Sequence, residues 1–183
     1  MPWSADQRSI VRDSLLAVGV CAAVLAAGYA WLPAGWFGLG ASFAIADRLA
    51  FALQADLVIF LWLAGCVRAV SKARFHSPAD IRGSASGPPS PALKVRMAVL
   101  QNSLEQTVLA VGAHLILATV LHGTALRVIP LLVGLYLLGR ITFAWGYARS
   151  RVGRAFGMAV TGVSTVVGYG LALGLLVAGR AGP

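Results

Sequence analysis

Polar side chains gather within two helical turns of an otherwise apolar stretch of this sequence: Gln101, Asn102, Glu105 and Gln106. At about 100° per residue they share one helix face with Ala98, whereas Ser103 and His114 point elsewhere. An ionised carboxylate that faced lipid would be costly, so this face must meet protein or water. Two kinds of group, amides and a carboxylate, are then available to hydrogen-bond a polar ligand.

The next apolar segment carries a cation at a matching depth. Glu105 lies nine residues after Arg96, and Arg140 lies nine residues before Arg149. If the two segments are antiparallel helices, both groups lie ~13 Å from the same end. We therefore expect Glu105 and Arg140 to face each other as an ion pair. A pair of this kind either only fixes helix packing or belongs to a ligand site.

Tyrosines and a basic rim favour the ligand site. Tyr136 and Tyr147 share a helix face with Arg140, and a simple ion pair would not need these further donors. Arginines would surround the mouth of such a cavity: Arg96, Arg149, Arg151 and Arg154. Because arginine forks bind carboxylates through two hydrogen bonds, the rim suits an anionic ligand. No metal site is predicted.

A second acid and base can be matched in the same way. Asp56 lies seven residues from the outer start of the second apolar segment, and His114 lies seven residues from the outer end of the third. The two side chains are thus candidates for a second pair.

Five apolar segments position all of these residues, spanning 11–32, 49–70, 95–121, 125–147 and 155–178. The chain is 58% hydrophobic and 11% charged, whereas a soluble domain has about 25% charged residues. Each segment approaches or exceeds the ~20 residues that a helix needs to cross a bilayer. Backbone groups in lipid must be satisfied internally, so the segments are helices. The prediction is an all-α, polytopic transmembrane bundle.

The distribution of basic residues predicts how the bundle is oriented. With five crossings, eleven Lys and Arg fall on the side of the N-terminus, and three (Arg48, Arg127 and Arg180) fall on the other. Positive residues accumulate in the cytoplasm, so the N-terminus is predicted to be cytoplasmic. The net charge of +9 is explained by these helix ends, and we predict no nucleic-acid binding.

Two segments have alternative interpretations. The first apolar run is either a retained helix or a signal peptide. Asp6 and Asp13 cancel the charge of its arginines, and the run is longer than a usual signal core, so we favour the helix. The Ser-, Gly- and Pro-rich stretch 74–94 is either a solvated cytoplasmic linker or a cover over the site.

The same residues carry a family resemblance. The stretches "VRMAVLQNSLEQTVLAVGAHLILA" and "GLYLLGRITFAWGYARSRVGRAFGMAVTGVSTVVGYGLAL" resemble the MAPEG family, the membrane-associated proteins in eicosanoid and glutathione metabolism. The shared core is Asn-x-x-Glu (Asn102, Glu105), Gly-Arg (Gly139, Arg140), a later Tyr (Tyr147) and an Arg before the last helix (Arg154). The resemblance covers residues ~50–178. It divides the chain into a four-helix domain, 49–178, and an N-terminal extension with one additional helix, 1–48.

The resemblance implies a trimer that binds glutathione between subunits, in a pocket between helices near the cytoplasmic face. The residues expected to bind it are Asn102, Glu105, Arg140, Gln101 and Tyr136. Tyr147 and Arg154 are the expected catalytic residues, with Arg154 near the sulfur, because a neighbouring cation or hydroxyl donor lowers the pKa of a thiol. Well-studied members differ in having Arg at the position of Ala98 and His-Arg at the positions of Leu100 and Gln101.

Three functions follow as hypotheses. The first is a glutathione-dependent transferase or peroxidase of the bacterial inner membrane that acts on lipophilic electrophiles dissolved in the bilayer. The second is a non-catalytic binding or scaffold protein that retains the fold, since function belongs to the site rather than to the scaffold. The third is small-solute transport, which the absence of recognisable inverted repeats disfavours.

Overall fold

The computed structural model describes residues 3–39, 43–150 and 152–179. Its five long helices are α1 (Ala5–Trp31), α2 (Ile45–Phe75), α3 (Pro91–Val120), α4 (Val128–Tyr147) and α5 (Ala155–Val177). All five are long and apolar enough to cross a membrane. The predicted all-α, multi-pass bundle is therefore confirmed. Two arginines used above, Arg151 and Arg180, lie outside the described residues, and the orientation in the membrane stays a prediction.

The helices around the central loop extend beyond the predicted apolar segments. The helix α2 continues to Phe75, and α3 begins at Pro91 after an N-cap at Ser90, whose hydroxyl accepts the backbone N–H of Leu93 at 3.3 Å. Proline is favoured at the first helical position because the N–H it lacks would have no partner there. The irregular connection is therefore shorter than the 74–94 that the composition predicted.

The helices α4 and α5 pack closely through glycine. Gly139 and Gly157 lie so close that a Cβ on Gly157 would overlap backbone atoms of Phe143 and Gly139. The main core lies between α2, α3 and α4 and includes Leu117 and Leu132. Small residues allow such backbone approach, which supplies much of the packing energy between helices in a membrane.

The additional helix α1 packs on α4 and α5. Ala17 and Cys21 are buried against Leu135 and Val160, and Gly28 leaves room for the side chain of Leu131. Because these contacts run along much of its length, α1 is part of the bundle, as expected of a retained helix. The division of the chain at residue 48 stays a prediction.

Arginines at the predicted outer side cap the ends of two helices. Arg48 is buried and donates from Nη1 to the carbonyl of Leu121 at the end of α3, at 2.8 Å. Arg127 donates to the carbonyl of Leu32 at the end of α1, at 3.2 Å, and stacks on Tyr29. A cation at a helix C-terminus satisfies free carbonyls and the helix dipole, so these two arginines have a structural role.

The loop between α2 and α3 is closed by a hydrogen-bonded clasp. The Asp80 carboxylate accepts the backbone N–H of Ser90 at 2.8 Å and its hydroxyl at 2.7 Å. These bonds, the backbone N–H first, hold the pKa of Asp80 below its ordinary value. Among the described residues, none from 77 to 90 lines the candidate cavity presented below, so the loop does not cover the site.

We expect Asp80→Asn to loosen this loop. At neutral pH, trypsin should cleave after the exposed Arg82 several-fold faster in the variant, because an amide is a weaker acceptor than a carboxylate. The ionised Asp80 carboxylate stabilises the folded loop at pH values above the pKa that Asp80 has in the unfolded chain. This stabilisation is lost as the pH falls through the lower pKa that Asp80 has in the folded loop. Pepsin cleavage of the loop should therefore rise below about pH 4 in the wild type and change less in the variant. Asp6→Asn is the control, and equal cleavage in all three proteins would contradict the clasp.

Candidate functional site

A cavity of ≈580 Å³ lies between α1, α3, α4 and α5 near the end of the bundle that carries Arg154. It is lined by Ile10, Ser14, Ala98, Gln101, Asn102, Glu105, Phe143, Tyr147, Val152, Arg154, Ala155, Met158 and Ala159. The volume is within the range of small-molecule sites, about 300–1,000 Å³. Four members of the polar face predicted on α3, Ala98, Gln101, Asn102 and Glu105, thus line one open cavity, whereas Gln106 does not line it.

Five of the seven predicted site residues line this cavity. They are Gln101, Asn102, Glu105, Tyr147 and Arg154. The other two, Arg140 and Tyr136, lie behind the wall and are buried, with 0% and 1% of their surface exposed. The structure therefore separates groups that can touch a ligand from groups that can act only through a neighbour.

Arg140 holds the side chain of Asn102 in place. Its Nη1 donates to Oδ1 of Asn102 at 2.6 Å, and its Nε donates to the hydroxyl of Thr161 on α5 at 3.1 Å. The guanidinium carbon lies 4.4 Å from the centre of the Phe143 ring. Asn102 and Phe143 both line the cavity, so Arg140 joins α3, α4 and α5 directly behind its wall.

The predicted ion pair between Glu105 and Arg140 is not formed. In the described part of the chain, Glu105 instead accepts a hydrogen bond from Nε2 of Gln101 at 3.0 Å and remains exposed. Asn102, one helical turn earlier, takes the place of Glu105 as the partner of the arginine. A neutral amide avoids moving a second charge out of water, whereas a buried carboxylate would lose its hydration as well.

Tyr136 belongs to a hydrogen-bonded network inside the core. Its hydroxyl lies 2.6 Å from Thr107 Oγ1 and 3.4 Å from the carbonyl of Ser103. On the other side of α3, the Ser103 hydroxyl accepts a hydrogen bond from Nε1 of Trp62 at 3.2 Å. The network joins α2, α3 and α4, which explains a buried tyrosine without a ligand.

Two arginines lie at the mouth of the cavity. The guanidinium of Arg154 lies 5.0 Å from the centre of the Tyr147 ring. An adjoining cavity of ≈520 Å³ shares both residues and adds Arg149, which stacks on Trp145 at 3.4 Å from the ring centre. The mouth therefore combines two cations with a phenol, an arrangement that attracts anions.

Comparison with known proteins settles the family. The MAPEG family pattern matches residues 18–174, which is most of the chain. The chain belongs to the MAPEG family. No curated protein and no solved structure matches it.

The MAPEG match extends beyond the resemblance noted in the sequence. It begins inside α1, at residue 18, and ends at residue 174 in α5. All four helices that enclose the cavity thus contribute residues to the matched range. The membership connects this membrane protein with the glutathione-related functions of the family, and the helices that carry Asn102, Glu105, Arg140, Tyr147 and Arg154 fall within it.

The second predicted pair of this MAPEG protein is formed. His114 Nδ1 lies 2.6 Å from Oδ1 of Asp56, and both side chains are buried. The other oxygen, Oδ2 of Asp56, has no hydrogen-bond partner among the described residues. The pair joins α2 to α3 within the core and does not line the candidate cavity.

Other residues of the site were not predicted from the sequence. Thr161 orients Arg140, but it is one of several hydroxyl residues in α5 and has no charge to distinguish it. Ile10 and Ser14 lie in α1, a helix outside the stretch that carried the resemblance. The i, i+4 spacing of Ile10 and Ser14 places them on one face of α1, a signal that was present but weak.

Proposed function

We propose that this protein is a glutathione-dependent membrane transferase or peroxidase that acts on lipophilic electrophiles. The supporting observation is that Gln101, Asn102, Glu105, Tyr147 and Arg154 line one cavity in a member of the MAPEG family. We further propose that this cavity opens to the cytoplasm, that the protein lies in the bacterial inner membrane, and that it forms a homotrimer, as the family resemblance implies.

The polar groups around the cavity match those of glutathione. Glutathione carries two carboxylates, one ammonium group, two peptide bonds and a thiol. Arg154 lines the cavity and Arg149 lines the space that adjoins it, so two guanidinium groups are available to the carboxylates. Glu105 can pair with the ammonium group, and the amides of Gln101 and Asn102 can bond the peptide groups.

The chemistry requires a thiolate, which the mouth of the cavity is suited to stabilise. A cation or hydroxyl donor beside a thiol favours the charged form, and Arg154 and Tyr147 supply one of each. In transfer, the sulfur attacks the electrophilic atom, a C–S bond forms, and the leaving group departs with its electron pair. In peroxide reduction, the thiolate attacks the terminal oxygen of a hydroperoxide, an S–O bond forms, the O–O bond breaks, and the alkoxide leaves and takes up a proton. The resulting glutathione sulfenic acid then reacts with the thiol of a second glutathione, which gives glutathione disulfide and water.

One observation favours a second candidate, a non-catalytic binding protein. Ala98 lines the cavity at the position where well-studied members have Arg. A methyl group there cannot bind a carboxylate, so part of the expected glutathione clamp is missing on α3. Binding without turnover is the outcome that would favour this second function over the first.

Calorimetric titration of the purified protein in detergent tests the proposal. Wild type should bind glutathione with a millimolar or tighter Kd, and Glu105→Gln and Arg154→Gln should each weaken it at least about ten-fold, because each removes a charged partner. Arg68→Gln, on α2 and outside the cavity, is the control. No binding by wild type, or equal weakening by the control, would refute the site. Where wild type does bind glutathione, turnover of an aryl halide distinguishes a transferase from a binding protein that has no activity.

A further inference from the structure

A second cavity of ≈610 Å³ shares no lining residue with the ≈580 Å³ candidate cavity, and it shares Ala148 with the ≈520 Å³ space that adjoins that cavity. It lies between α2, α3 and the last turn of α4 and is lined by Leu61, Trp62, Gly65, Cys66, Ala69, Ala92, Val95, Arg96, Val99, Ala144 and Ala148. Arg96 is its single charged residue. The other lining residues form an apolar groove.

The groove exists because its residues are small and its largest side chain is fixed. A Cβ added to Gly65 would meet nothing within 4 Å, so this glycine leaves open space rather than a packed contact. The indole of Trp62 donates to the Ser103 hydroxyl at 3.2 Å, which holds the ring in the wall of the groove. Cys66 lies 3.8 Å from the same hydroxyl. The groove is thus a defined feature of the fold.

A basic cavity adjoins the apolar groove. It has a volume of ≈440 Å³ and is lined by Ala69, Lys72, Ala73, His76 and Arg96. Ala69 and Arg96 line both cavities, so the two are continuous. In the described part of the chain, no Asp or Glu lines either cavity, and the side chains of Lys72 and Arg96 make no ion pair.

Polarity therefore changes along one face of α2. The apolar part runs from Leu61 to Ala69, about 12 Å along the helix, and the basic part continues to His76, about 10 Å further. One leaflet of a bilayer has about 15 Å of hydrocarbon below its charged headgroups. The apolar part of the groove and the basic part beyond it therefore follow each other as the hydrocarbon and the headgroups do in one leaflet, over a similar length.

We propose that this groove binds an anionic phospholipid, with one acyl chain along Leu61–Ala69 and the phosphate at Arg96 and Lys72. Apolar walls select a hydrocarbon chain, and two unpaired cations at its end select a negative headgroup. A free anion would leave the apolar part of the groove unfilled.

Fluorescence quenching measures occupancy directly. Replacing Trp3, Trp31, Trp36 and Trp145 by Phe leaves Trp62, in the wall of the groove, as the only tryptophan. Brominated phosphatidylglycerol and brominated phosphatidylcholine are then compared at equal mole fraction in nanodiscs. We expect phosphatidylglycerol to quench Trp62 at several-fold lower mole fraction, and inorganic phosphate not to reverse the quenching.

Two sets of variants separate a specific lipid site from general attraction to the membrane. Arg96→Gln and Lys72→Gln should each reduce the preference for the anionic lipid about five-fold, the effect of one basic residue at a membrane surface. Arg68 is an exposed residue of α2 that lies outside both cavities, so Arg68→Gln should leave the preference for the anionic lipid unchanged. Gly65→Leu should fill the groove and reduce quenching by both lipids, whereas Gly170→Leu, equally open but on α5, should not.

The opposite outcomes overturn the proposal. Equal quenching by the two lipids in wild type would show that no anionic headgroup is selected. An effect of Arg68→Gln as large as that of Arg96→Gln would show surface charge alone. Unchanged quenching in Gly65→Leu would place the acyl chain elsewhere. Protection of Trp62 from both lipids would mean that a second copy of the chain covers the groove.

Discussion

Gly157→Ala should destabilise this protein strongly, whereas Gly162→Ala, five residues along the same helix, should stabilise it slightly. A Cβ at position 157 would overlap backbone atoms of Phe143 and Gly139, which cannot move without separating α4 from α5. Overpacking of this kind costs about 3 kcal/mol. For a chain of this size, that lowers Tm by roughly 6–12 °C.

The control variant, Gly162→Ala, should change the stability in the opposite direction. A Cβ on Gly162 meets nothing within 4 Å, so the substitution only removes backbone freedom from the unfolded chain. That change stabilises a helix by about 0.5–1 kcal/mol. Thermal unfolding in detergent, followed by circular dichroism, measures both variants. Equal Tm values for the two variants would show that α4 and α5 do not approach as closely as the structure places them.

The same glycine contact also positions the site. Arg140 follows Gly139 on α4, and its Nε reaches Thr161 on α5 at 3.1 Å only because the two backbones are close. We therefore expect Gly157→Ala to weaken glutathione binding at temperatures where the variant is still folded. The crossing of α4 and α5 and the geometry of the candidate site therefore both depend on Gly139 and Gly157.

The sequence was sufficient for the number and order of the helices. Long uncharged runs have one stable solution in lipid, so five such runs predict five helices. Their ends were less predictable, because α2 and α3 continue past the apolar runs until Phe75 and begin again at the Ser90 cap. Hydropathy reports where hydrocarbon ends, whereas hydrogen bonding and capping decide where a helix ends.

Depth matching offered two candidate polar pairs, of which one is formed and the other is not. Asp56 and His114 are at matched depth and do pair, because both side chains point into the core between α2 and α3. Glu105 and Arg140 are also at matched depth, but Arg140 bonds Asn102 instead. Depth fixes a position along the helix axis, but the rotation of each helix and the direction of each side chain decide which neighbours meet.

The contribution of α1 was the least predictable part of the site. Ile10 and Ser14 line the cavity opposite α3, yet nothing in their types identifies them as ligand-binding residues. Their position depends on how α1 packs against α5, through contacts such as that between Cys21 and Val160. Contacts of this kind arise from the shape of both surfaces and are not encoded in the periodicity of either helix.

Replacing Arg140 by Met should weaken glutathione binding about as much as replacing Asn102 by Leu, and the double variant should be no weaker. The hydrogen bond between Arg140 and Asn102 has one charged partner and is buried, so its loss costs about 1.5–3 kcal/mol. The bond exists with and without ligand, so this energy is the upper limit of the effect on binding, and we expect the Kd for glutathione to rise by no more than roughly a hundred-fold. Among the described residues that line the cavity, Asn102 is the one that Arg140 hydrogen-bonds, so the two single effects should not add.

A second double-mutant cycle, between Glu105 and Arg140, distinguishes the hydrogen bond of Arg140 to Asn102 from the ion pair that the sequence predicted. The effects of Glu105→Gln and Arg140→Met on the free energy of unfolding should add to within about 0.5 kcal/mol, since the two side chains do not touch. Arg140→Lys should lose most of the binding despite retaining the charge, because an ammonium group cannot serve Asn102 and Thr161 in the fixed geometry of a guanidinium fork. A coupling above about 1 kcal/mol between Glu105 and Arg140 would mean that these residues pair in the membrane after all, and that Asn102 is free to bind the ligand alone.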